Sequence, residues 1–238
     1  MARIDGREND QLRPVEILPG INRFAEGSCL IRCGNTHVLC TASVEERTPP
    51  HVPEGEGWVT AEYSMLPRAN RERSRRDISK GKLSPRSAEI QRLVGRALRA
   101  AVDLKKLGAR TITIDCDVLQ GDGGTRTASI TGGYVALVMA LRKMEGAGQL
   151  NAWPVTGQVA AVSAGIVGDV PMLDLCYEED SSAQVDLNCV MDDQGRLIEI
   201  QGTGEGRPFT LDEQRKLVEL CAGGIRELQA IQKEILGL

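Results

Sequence analysis

The most basic stretch of the 238-residue sequence runs from 66 to 86, LPRANRERSRRDISKGKLSPR, and is called the basic segment below. It holds eight basic residues against Glu72 and Asp77, a net charge of +6 in a chain whose formal total is −4. The basic residues are Arg68, Arg71, Arg73, Arg75, Arg76, Lys80, Lys82 and Arg86. Such a density of cations favours contact with a phosphodiester backbone without reading of the base sequence. A solvated charged loop or a subunit contact would have the same composition.

Arg86 stands apart from the other cations because it lies near the start of a predicted helix. Free backbone amides and the helix dipole favour an anion at such a position. The planar guanidinium could hold a phosphate through two hydrogen bonds. An isolated arginine there is also compatible with an ordinary surface residue.

A glycine-rich stretch, QGDGGTRTAS at 120–129, lies between a predicted strand and a predicted helix. Its glycines permit a tight turn, so the backbone amides of Gly124, Thr125 and Arg126 could converge on one anion. The stretch has neither the Walker A pattern nor the GxGxxG spacing of dinucleotide sites. A purely structural turn remains open, but a Thr-Arg pair at a helix start favours phosphate.

Acidic residues are concentrated in LDLCYEEDSSAQVDLN at 173–188. Asp180 and Asp186 are six positions apart with a Ser-Ser pair between them, so both carboxylates could reach one point at a strand end. Together they could hold Mg²⁺, or one could act as an acid or base beside it. An exposed acidic turn is the alternative.

Composition excludes several other classes of protein. The two histidines leave little material for histidine catalysis, and the seven cysteines have no paired metal-ligand spacing, so we expect reduced, mostly buried thiols. Aromatic residues are 3% of the chain, which argues against extended base-stacking surfaces. A charged amino terminus and the lack of an apolar run of roughly 18–20 residues predict a cytoplasmic protein with no membrane partner.

Hydrophobic patterning predicts the elements that must position these residues. Alternation from Pro14 to Glu45 predicts two or three antiparallel strands, and the Pro- and Gly-rich stretch from Thr48 to Gly57 then breaks the pattern. Ser84 as N-cap and Pro85 in the first turn predict a helix that runs to a stop at Gly108.

The second part of the chain repeats this mixture of elements. RTITIDCDVL at 110–119 predicts a strand, followed by the glycine turn and a helix over ASITGGYVALVMALRKM. A strand-rich block runs from Gly157 to about Gly202, and a closing helix starts at Thr210, with Glu213 completing a capping box. This order predicts an α+β fold in which helices pack on a mixed sheet, rather than a doubly wound parallel sheet. We predict one catalytic domain over 1–238, and the order is compatible with two similar halves at about 1–145 and 146–238.

Taken together and in order, the motifs resemble bacterial ribonuclease PH. They are the basic segment, SPRS around Arg86, QGDGGTRTASI, and DLxYxEDSxAxxDLN, and the resemblance extends from RIDGRENDQLRPV at the amino terminus to EGRPFT near the end. The resemblance implies a ribosomal-protein-S5-like βαβα fold, similar to the core of polynucleotide phosphorylase and of the exosome. It also implies a homohexamer built as a trimer of dimers.

The activity implied by the resemblance is phosphorolytic trimming of RNA from the 3′ end. Inorganic phosphate is the co-substrate, precursor transfer RNA is cut back to its CCA end, and nucleoside diphosphates are released. Other RNA 3′ ends, including those of ribosomal RNA, are also implied substrates, and the reverse reaction extends RNA. The resemblance assigns phosphate binding to Arg86, Gly124, Thr125 and Arg126, and catalysis with Mg²⁺ binding to Asp180 and Asp186. It assigns RNA contacts to arginines of the basic segment, Arg68, Arg71, Arg73, Arg75 and Arg76.

The residues themselves are compatible with this chemistry. Phosphate attacking a phosphodiester is an anion approaching an anion, so the site must neutralise the repulsion and align the reacting atoms, as arginines and a helix amino terminus do. Hydrolysis would need a group that activates water, and no four-carboxylate pattern is present, so it is the weaker alternative. A catalytically silent RNA-binding ring subunit, or a small-molecule kinase that uses the glycine loop, are the rivals from other classes.

Overall fold

A five-stranded sheet forms from the first part of the chain. The computed structural model describes residues 3–238, apart from the side chains of Ile78 and Lys80. The strands are β1 (Val15–Pro19), β2 (Gly27–Cys33), β3 (Thr36–Glu45), β4 (Trp58–Met65) and β5 (Thr111–Gln120). Their order is β1-β2-β3-β5-β4, and β4 and β5 are parallel while the other pairs are antiparallel. The predicted mixed sheet is therefore confirmed, and β1 to β3 are the antiparallel strands expected between Pro14 and Glu45.

A four-stranded antiparallel sheet forms from the predicted strand-rich block. Its strands are β6 (Val159–Val167), β7 (Val170–Leu173), β8 (Val185–Asp192) and β9 (Leu197–Gly204), in the order β7-β6-β8-β9. A short helix, α4 (Tyr177–Asp180), interrupts the block between β7 and β8. Of the two predicted catalytic carboxylates, Asp180 therefore lies on α4 and Asp186 lies on β8.

The long helix α3 (Thr125–Gly146) contacts strands of both sheets, including β2, β3 and β6. It is buried on nearly every side, since residues 127–138 are all buried. The helix approaches β2 closely because Gly27 and Gly132 have no side chains. A Cβ atom on Gly27 would collide with the backbone of α3, and one on Gly132 would come within 2.9 Å of Cys40 Sγ. Because α3 begins at the glycine loop, its packing fixes that loop relative to both sheets.

The helix predicted from Ser84 starts as expected but ends earlier. In α1 (Pro85–Arg99), Ser84 Oγ accepts a hydrogen bond from the Ser87 amide at 3.0 Å. The chain then leaves the helix, and Asp103 caps a separate short helix, α2 (Leu104–Leu107), which Gly108 ends with a φ of 73°. The stop at Gly108 was right, but it belongs to α2, because the carboxylate of Asp103 takes up the free amides of a new helix.

The closing helix α5 (Leu211–Leu236) has the capping box that the sequence predicts. Thr210 Oγ1 accepts from the Glu213 amide at 3.2 Å, and Glu213 Oε2 accepts from the Thr210 amide at 2.7 Å. The helix packs on β6, β7 and β8 and covers the core of the four-stranded sheet. Within residues 3–238, none of the helices combines the length and the apolar character that crossing a bilayer requires.

Candidate functional site

A polar cavity of about 340 Å³ lies where the start of α3 meets the four-stranded sheet. Six residues that the sequence singled out line it together: Arg86, Gly124, Thr125, Arg126, Asp180 and Asp186. Four further polar lining residues, Ser163, Ser181, Asn188 and Glu205, were not predicted as site residues. Cations, a helix start and carboxylates thus line one cavity together.

The glycine loop is shaped for an anion at the start of α3. Gly123 and Gly124 both have left-handed backbones, with φ of 75° and 63°. Gly124 is the N-cap residue, and no side chain caps the helix, so its first amides are not satisfied by a capping group. Thr36 Oγ1 fixes the loop by donating to the Gly123 carbonyl at 2.6 Å and accepting from the Asp122 amide at 2.9 Å. The loop therefore presents backbone donors in a fixed arrangement.

Arg126 and Thr125 are each oriented by neighbours. Arg126 Nη1 donates to Gln201 Oε1 at 3.0 Å and to Glu89 Oε1 at 3.3 Å. Thr125 Oγ1 lies 2.8 Å from the hydroxyl of buried Tyr63. Arg86, in the first turn of α1, is exposed at the cavity edge. Two guanidinium groups thus stand beside the free amides of α3, an arrangement that suits a doubly charged anion.

The two carboxylates are brought together by α4 and β8. Asp180 is the last residue of α4, and Asp186 is the second residue of β8. Burial and, after it, the charge of Asp180 raise the pKa of Asp186 to about 6, although the charge of Arg126 opposes them. Burial also raises the pKa of Asp180, while the charges of Arg86 and Arg126 oppose that shift. Asp186 is half-buried and Asp180 is exposed at the cavity, and two carboxylates whose pKa values are both raised are a favourable place for a proton or a cation.

The donor set fits Mg²⁺ bound through two carboxylates and the oxygens of a substrate. Mg²⁺ commonly keeps several waters and takes one or two protein carboxylates together with substrate phosphates. No cluster of three or more histidine, cysteine or acidic side chains has metal-binding geometry within the part of the chain that the structure describes. A cation here would therefore rely on Asp180 and Asp186, and its remaining ligands would come from water or phosphate.

Arginines near the amino terminus hold the acidic segment against the glycine loop. Arg13 forms a two-pronged ion pair with buried Asp174, with Nη2–Oδ1 at 2.6 Å and Nε–Oδ2 at 3.0 Å. The same guanidinium donates to the carbonyl oxygens of Asp122 and Gly123. Arg3 similarly holds Glu179, through Nε–Oε1 at 2.8 Å and Nη2–Oε2 at 2.6 Å. These contacts position α4, and with it Asp180, relative to the loop.

Family models match most of the chain. The first domain of the 3′ exoribonuclease family matches residues 11–143, and the second domain of the same family matches residues 157–221. The chain belongs to the 3′ exoribonuclease family. Its cavity lies where the two matched segments meet, since the glycine loop comes from the first and the two aspartates come from the second.

Solved structures of exosome components share this exoribonuclease fold. The archaeal exosome core is 26% identical, with a TM-score of 0.76 over 98% of this chain and 90% of that one. The Archaeoglobus fulgidus exosome with RNA bound to the active site is 25% identical, with a TM-score of 0.77 over 96% and 91%. Rice (Oryza sativa) Rrp46, at 18% identity, shares the fold with a TM-score of 0.80 over 98% and 100%.

The basic segment lies outside the cavity of this exoribonuclease, except for Arg86 at its end. Five of its arginines are exposed, namely Arg68, Arg71, Arg73, Arg75 and Arg76, and the side chain of Lys80 lies outside the described residues. Arg71 donates to Glu178 at 2.7 Å, which brings the segment next to α4. The segment thus begins at the end of β4 and ends at the cavity, which suits contact with a substrate that extends from it.

Ser163 is a cavity residue that sequence reasoning missed. It lies in β6 directly opposite Asn188 of β8, and Asn188 Nδ2 donates to Asp186 Oδ2 at 3.2 Å. The Ser163 hydroxyl is buried and has no hydrogen-bond partner among the described residues. A serine inside an apolar strand run has no sequence signal for such a position, because strand pairing alone brings it to the cavity.

Proposed function

We propose that this exoribonuclease removes nucleotides from RNA 3′ ends with inorganic phosphate as the attacking group, and that it is a bacterial ribonuclease PH. The observation that carries the proposal is the cavity that Arg86, Arg126, the start of α3, Asp180 and Asp186 line together. An anion site beside two carboxylates meets the needs of phosphorolysis, in which one anion attacks another. Phosphate needs little activation, so the lack of a histidine among the cavity residues is compatible with this reaction.

In this mechanism Arg86, Thr125 and Arg126 bind phosphate and direct one of its oxygens at the phosphorus of the terminal diester. A bond forms between that oxygen and phosphorus while the bond to the 3′ oxygen of the preceding nucleotide breaks. The products are a nucleoside diphosphate and RNA shortened by one nucleotide. Asp180, whose pKa is raised by burial, supplies the proton that the departing 3′ oxygen needs. When Mg²⁺ is bound by Asp180 and Asp186, it supplies charge stabilisation for the developing oxyanion.

The substrate we propose is precursor transfer RNA, trimmed to its CCA end in the cytoplasm, with other RNA 3′ ends as further substrates. The Archaeoglobus fulgidus exosome, which has the same fold, is described with RNA bound to its active site. We also propose a homohexamer, a trimer of dimers, because several basic segments that line one shared channel would add their charges along the same RNA. The molecular mass in solution tests this assembly.

The deciding experiment incubates the protein with Mg²⁺ and a 3′-extended transfer RNA, with and without inorganic phosphate, and identifies the released nucleotides by mass. We expect nucleoside diphosphates only when phosphate is present, and trimming that stops after CCA. Asp180→Asn should lower turnover by roughly 10²-fold or more, because it removes a proton donor and a metal ligand. Asp212→Asn, on the exposed start of α5, is the matched control and should keep full turnover.

Other outcomes of this experiment identify other functions. Nucleoside monophosphates released without phosphate would mean hydrolysis. Trimming that continues through CCA would leave a general exoribonuclease with no preference for the transfer RNA end. No release from any RNA would favour a catalytically silent RNA-binding subunit.

A further inference from the structure

A second cleft of about 420 Å³ adjoins the catalytic cavity, at the other side of the glycine loop. Its lining residues are Asn70, Arg71, Glu72, Gly121, Asp122 and Tyr177. Gly121 and Asp122 lead directly into Gly123 and Gly124 of the loop, and Tyr177 begins the helix that ends at Asp180. The cleft and the cavity therefore share the loop on one side and α4 on the other. A chain leaving the cavity along this side would pass over the cleft.

Tyr177 presents an aromatic ring at this cleft. The other two tyrosines, Tyr63 and Tyr134, are both 2% exposed, whereas Tyr177 is 50% exposed. The Tyr177 amide donates to Asp122 Oδ1 at 3.1 Å, which fixes the backbone beneath the ring. Half of this large aromatic side chain is therefore exposed to solvent, at a fixed place beside the catalytic cavity. Stacking of the ring on a flat partner would remove its apolar surface from water and so favour binding.

Arg71 lies against the same ring. Its guanidinium carbon is 5.5 Å from the ring centroid, and its Nη2 donates to Glu178 Oε1 at 2.7 Å. The ion pair holds the guanidinium in place, so its planar group and the phenol ring form one aromatic and cationic surface. The exposed ring and the arginine thus provide the two kinds of planar group on which nucleobases stack in single-stranded RNA complexes.

The charges of the cleft favour a base over a phosphate. One guanidinium, already paired with Glu178, stands against the carboxylates of Glu72 and Asp122. The cleft is therefore net negative, in contrast to the cavity next to it, and would repel a phosphodiester. A neutral base meets no such repulsion, and carboxylate and amide oxygens accept hydrogen bonds from its exocyclic amino groups.

We propose that this cleft binds a nucleobase of the RNA, close to the 3′ end that enters the catalytic cavity, by stacking on Tyr177 and Arg71. The inference rests on the proposed function, since it takes the RNA chain to run from the cavity past the glycine loop. Aromatic residues are too few for an extended stacking surface, but a single exposed ring is enough for one base. Stacking accepts every base, so the cleft contributes affinity and register without selecting sequence.

The test measures binding of short oligoribonucleotides, each with one abasic nucleotide at a different position counted from the 3′ end. Binding is read by fluorescence anisotropy without phosphate, so the result does not depend on whether nucleoside diphosphates form. The wild-type protein should lose affinity by roughly 5- to 10-fold for an abasic nucleotide at one position near the 3′ end. Tyr177→Leu should bind the intact oligonucleotide more weakly and lose the dependence on that position. Tyr177→Phe keeps the ring and should behave as the wild type does.

Phe24→Leu is the matched control for removal of an exposed ring. Phe24 is 80% exposed and has the Arg23 guanidinium carbon 4.9 Å from its ring centroid, so the two pairs have similar chemistry. It precedes the Gly27 end of β2, whereas the cleft lies near the Cys33 end, where Thr36 holds the glycine loop. This variant should leave the abasic profile unchanged.

Two results would overturn the assignment. One is an abasic profile that Tyr177→Leu leaves as it is in the wild type, or that Phe24→Leu changes equally. The other is a change in molecular mass with Tyr177→Leu, which would assign the cleft to a contact between subunits. Phosphate-dependent release of nucleoside diphosphates would stand in either case, so failure of the cleft and failure of the proposed function are separate outcomes.

Discussion

Arg13 joins three parts of the molecule through one buried guanidinium. It pairs with Asp174 at the end of β7, it donates to the carbonyls of the glycine loop, and it leads into β1. Burial alone would raise the pKa of Asp174, but the charge and hydrogen bonds of Arg13 lower it below its ordinary value. The carboxylate therefore stays ionised inside the protein, with Arg13 as its closest cation at 2.6 Å and Arg7 at 3.9 Å.

Replacement of Arg13 by glutamine should weaken both the fold and the proposed phosphate site. Loss of Arg13 leaves the buried Asp174 carboxylate with the more distant Arg7, at 3.9 Å, as its remaining ion-pair partner among the described residues. Breaking a buried pair costs up to roughly 3–5 kcal/mol of unfolding free energy. Below the unfolding temperature, the KM for phosphate should rise at least several-fold because the loop loses its support, and this can be measured by steady-state release of nucleoside diphosphates.

Arg47→Gln is the control for Arg13→Gln, since Arg47 pairs with Glu45 at an exposed site where the side chain is 81% exposed. It should change neither the unfolding midpoint nor the KM for phosphate. An unchanged KM for phosphate in Arg13→Gln, whatever its stability, would remove Arg13 from the positioning of the loop.

Residue type and local sequence were enough to identify two cations and two of the carboxylates of the cavity, though not Glu205. Arg86, Arg126, Asp180 and Asp186 each stand in a motif with a chemical meaning of its own, and the structure brings them to one cavity. Arg13 and Ser163 could not be found in this way. The position of Arg13 depends on its contact with Asp174, 161 residues away, and that of Ser163 depends on the pairing of β6 with β8. No local sequence pattern encodes either contact.

At the scale of elements, the sequence predicted helix starts better than it predicted strand partners. The caps at Ser84 and Thr210 act within three residues, so local chemistry decides them. Strand β4 was not predicted, although Val59, Ala61 and Tyr63 alternate on its buried face. Its place is set by parallel pairing with β5, across the intervening α1, and the Pro- and Gly-rich stretch before it obscured the pattern.

The packing of α3 on β2 gives a prediction for Gly27. A Cβ atom at this position would collide with the backbone of α3 at Ala136 and lie 2.7 Å from the Ala140 amide nitrogen. Backbone atoms cannot move aside as a side chain can, so Gly27→Ala should lower the unfolding free energy by about 3 kcal/mol. Urea unfolding followed by circular dichroism measures the difference.

Gly223→Ala should change the unfolding free energy in the opposite direction in the same experiment. A Cβ atom at Gly223, within α5, meets nothing within 4 Å. Alanine in a helix is favoured over glycine, so this variant should gain roughly 0.5–1 kcal/mol. Equal effects of the two substitutions would mean that α3 does not lie as close to β2 as described.

On the scale of the whole molecule, charge is divided between a negative chain and a positive segment. The net charge is −4, so we propose that long-range attraction to RNA comes from the basic segment. Replacing Arg68, Arg73 and Arg76 by glutamine should weaken binding of long RNA. The slope of log affinity against log salt should fall by up to about 2, at roughly 0.7 for each lost phosphate contact with single-stranded RNA. The KM for phosphate should not change, since these arginines do not line the cavity.

A matched triple variant separates local charge from total charge. Arg47, Arg196 and Arg215 have side chains at least 69% exposed, and their replacement by glutamine also takes the net charge from −4 to −7. RNA affinity should then fall far less than in the first triple variant. Equal losses would show that the segment has no special part in binding.

The division of the cavity between distant parts of the chain also sets an order of events during synthesis. A growing chain makes the basic segment and the glycine loop before it makes Asp180 and Asp186, and Arg13 must wait for Asp174 before its ion pair can form. An unfinished chain therefore exposes the arginines of the basic segment, which we propose to attract RNA, before it has Asp180 and Asp186 at the cavity. Under the proposed function, we expect nascent chains on the ribosome to hold RNA electrostatically, and cleavage to begin only after the four-stranded sheet has been translated and has packed against α3.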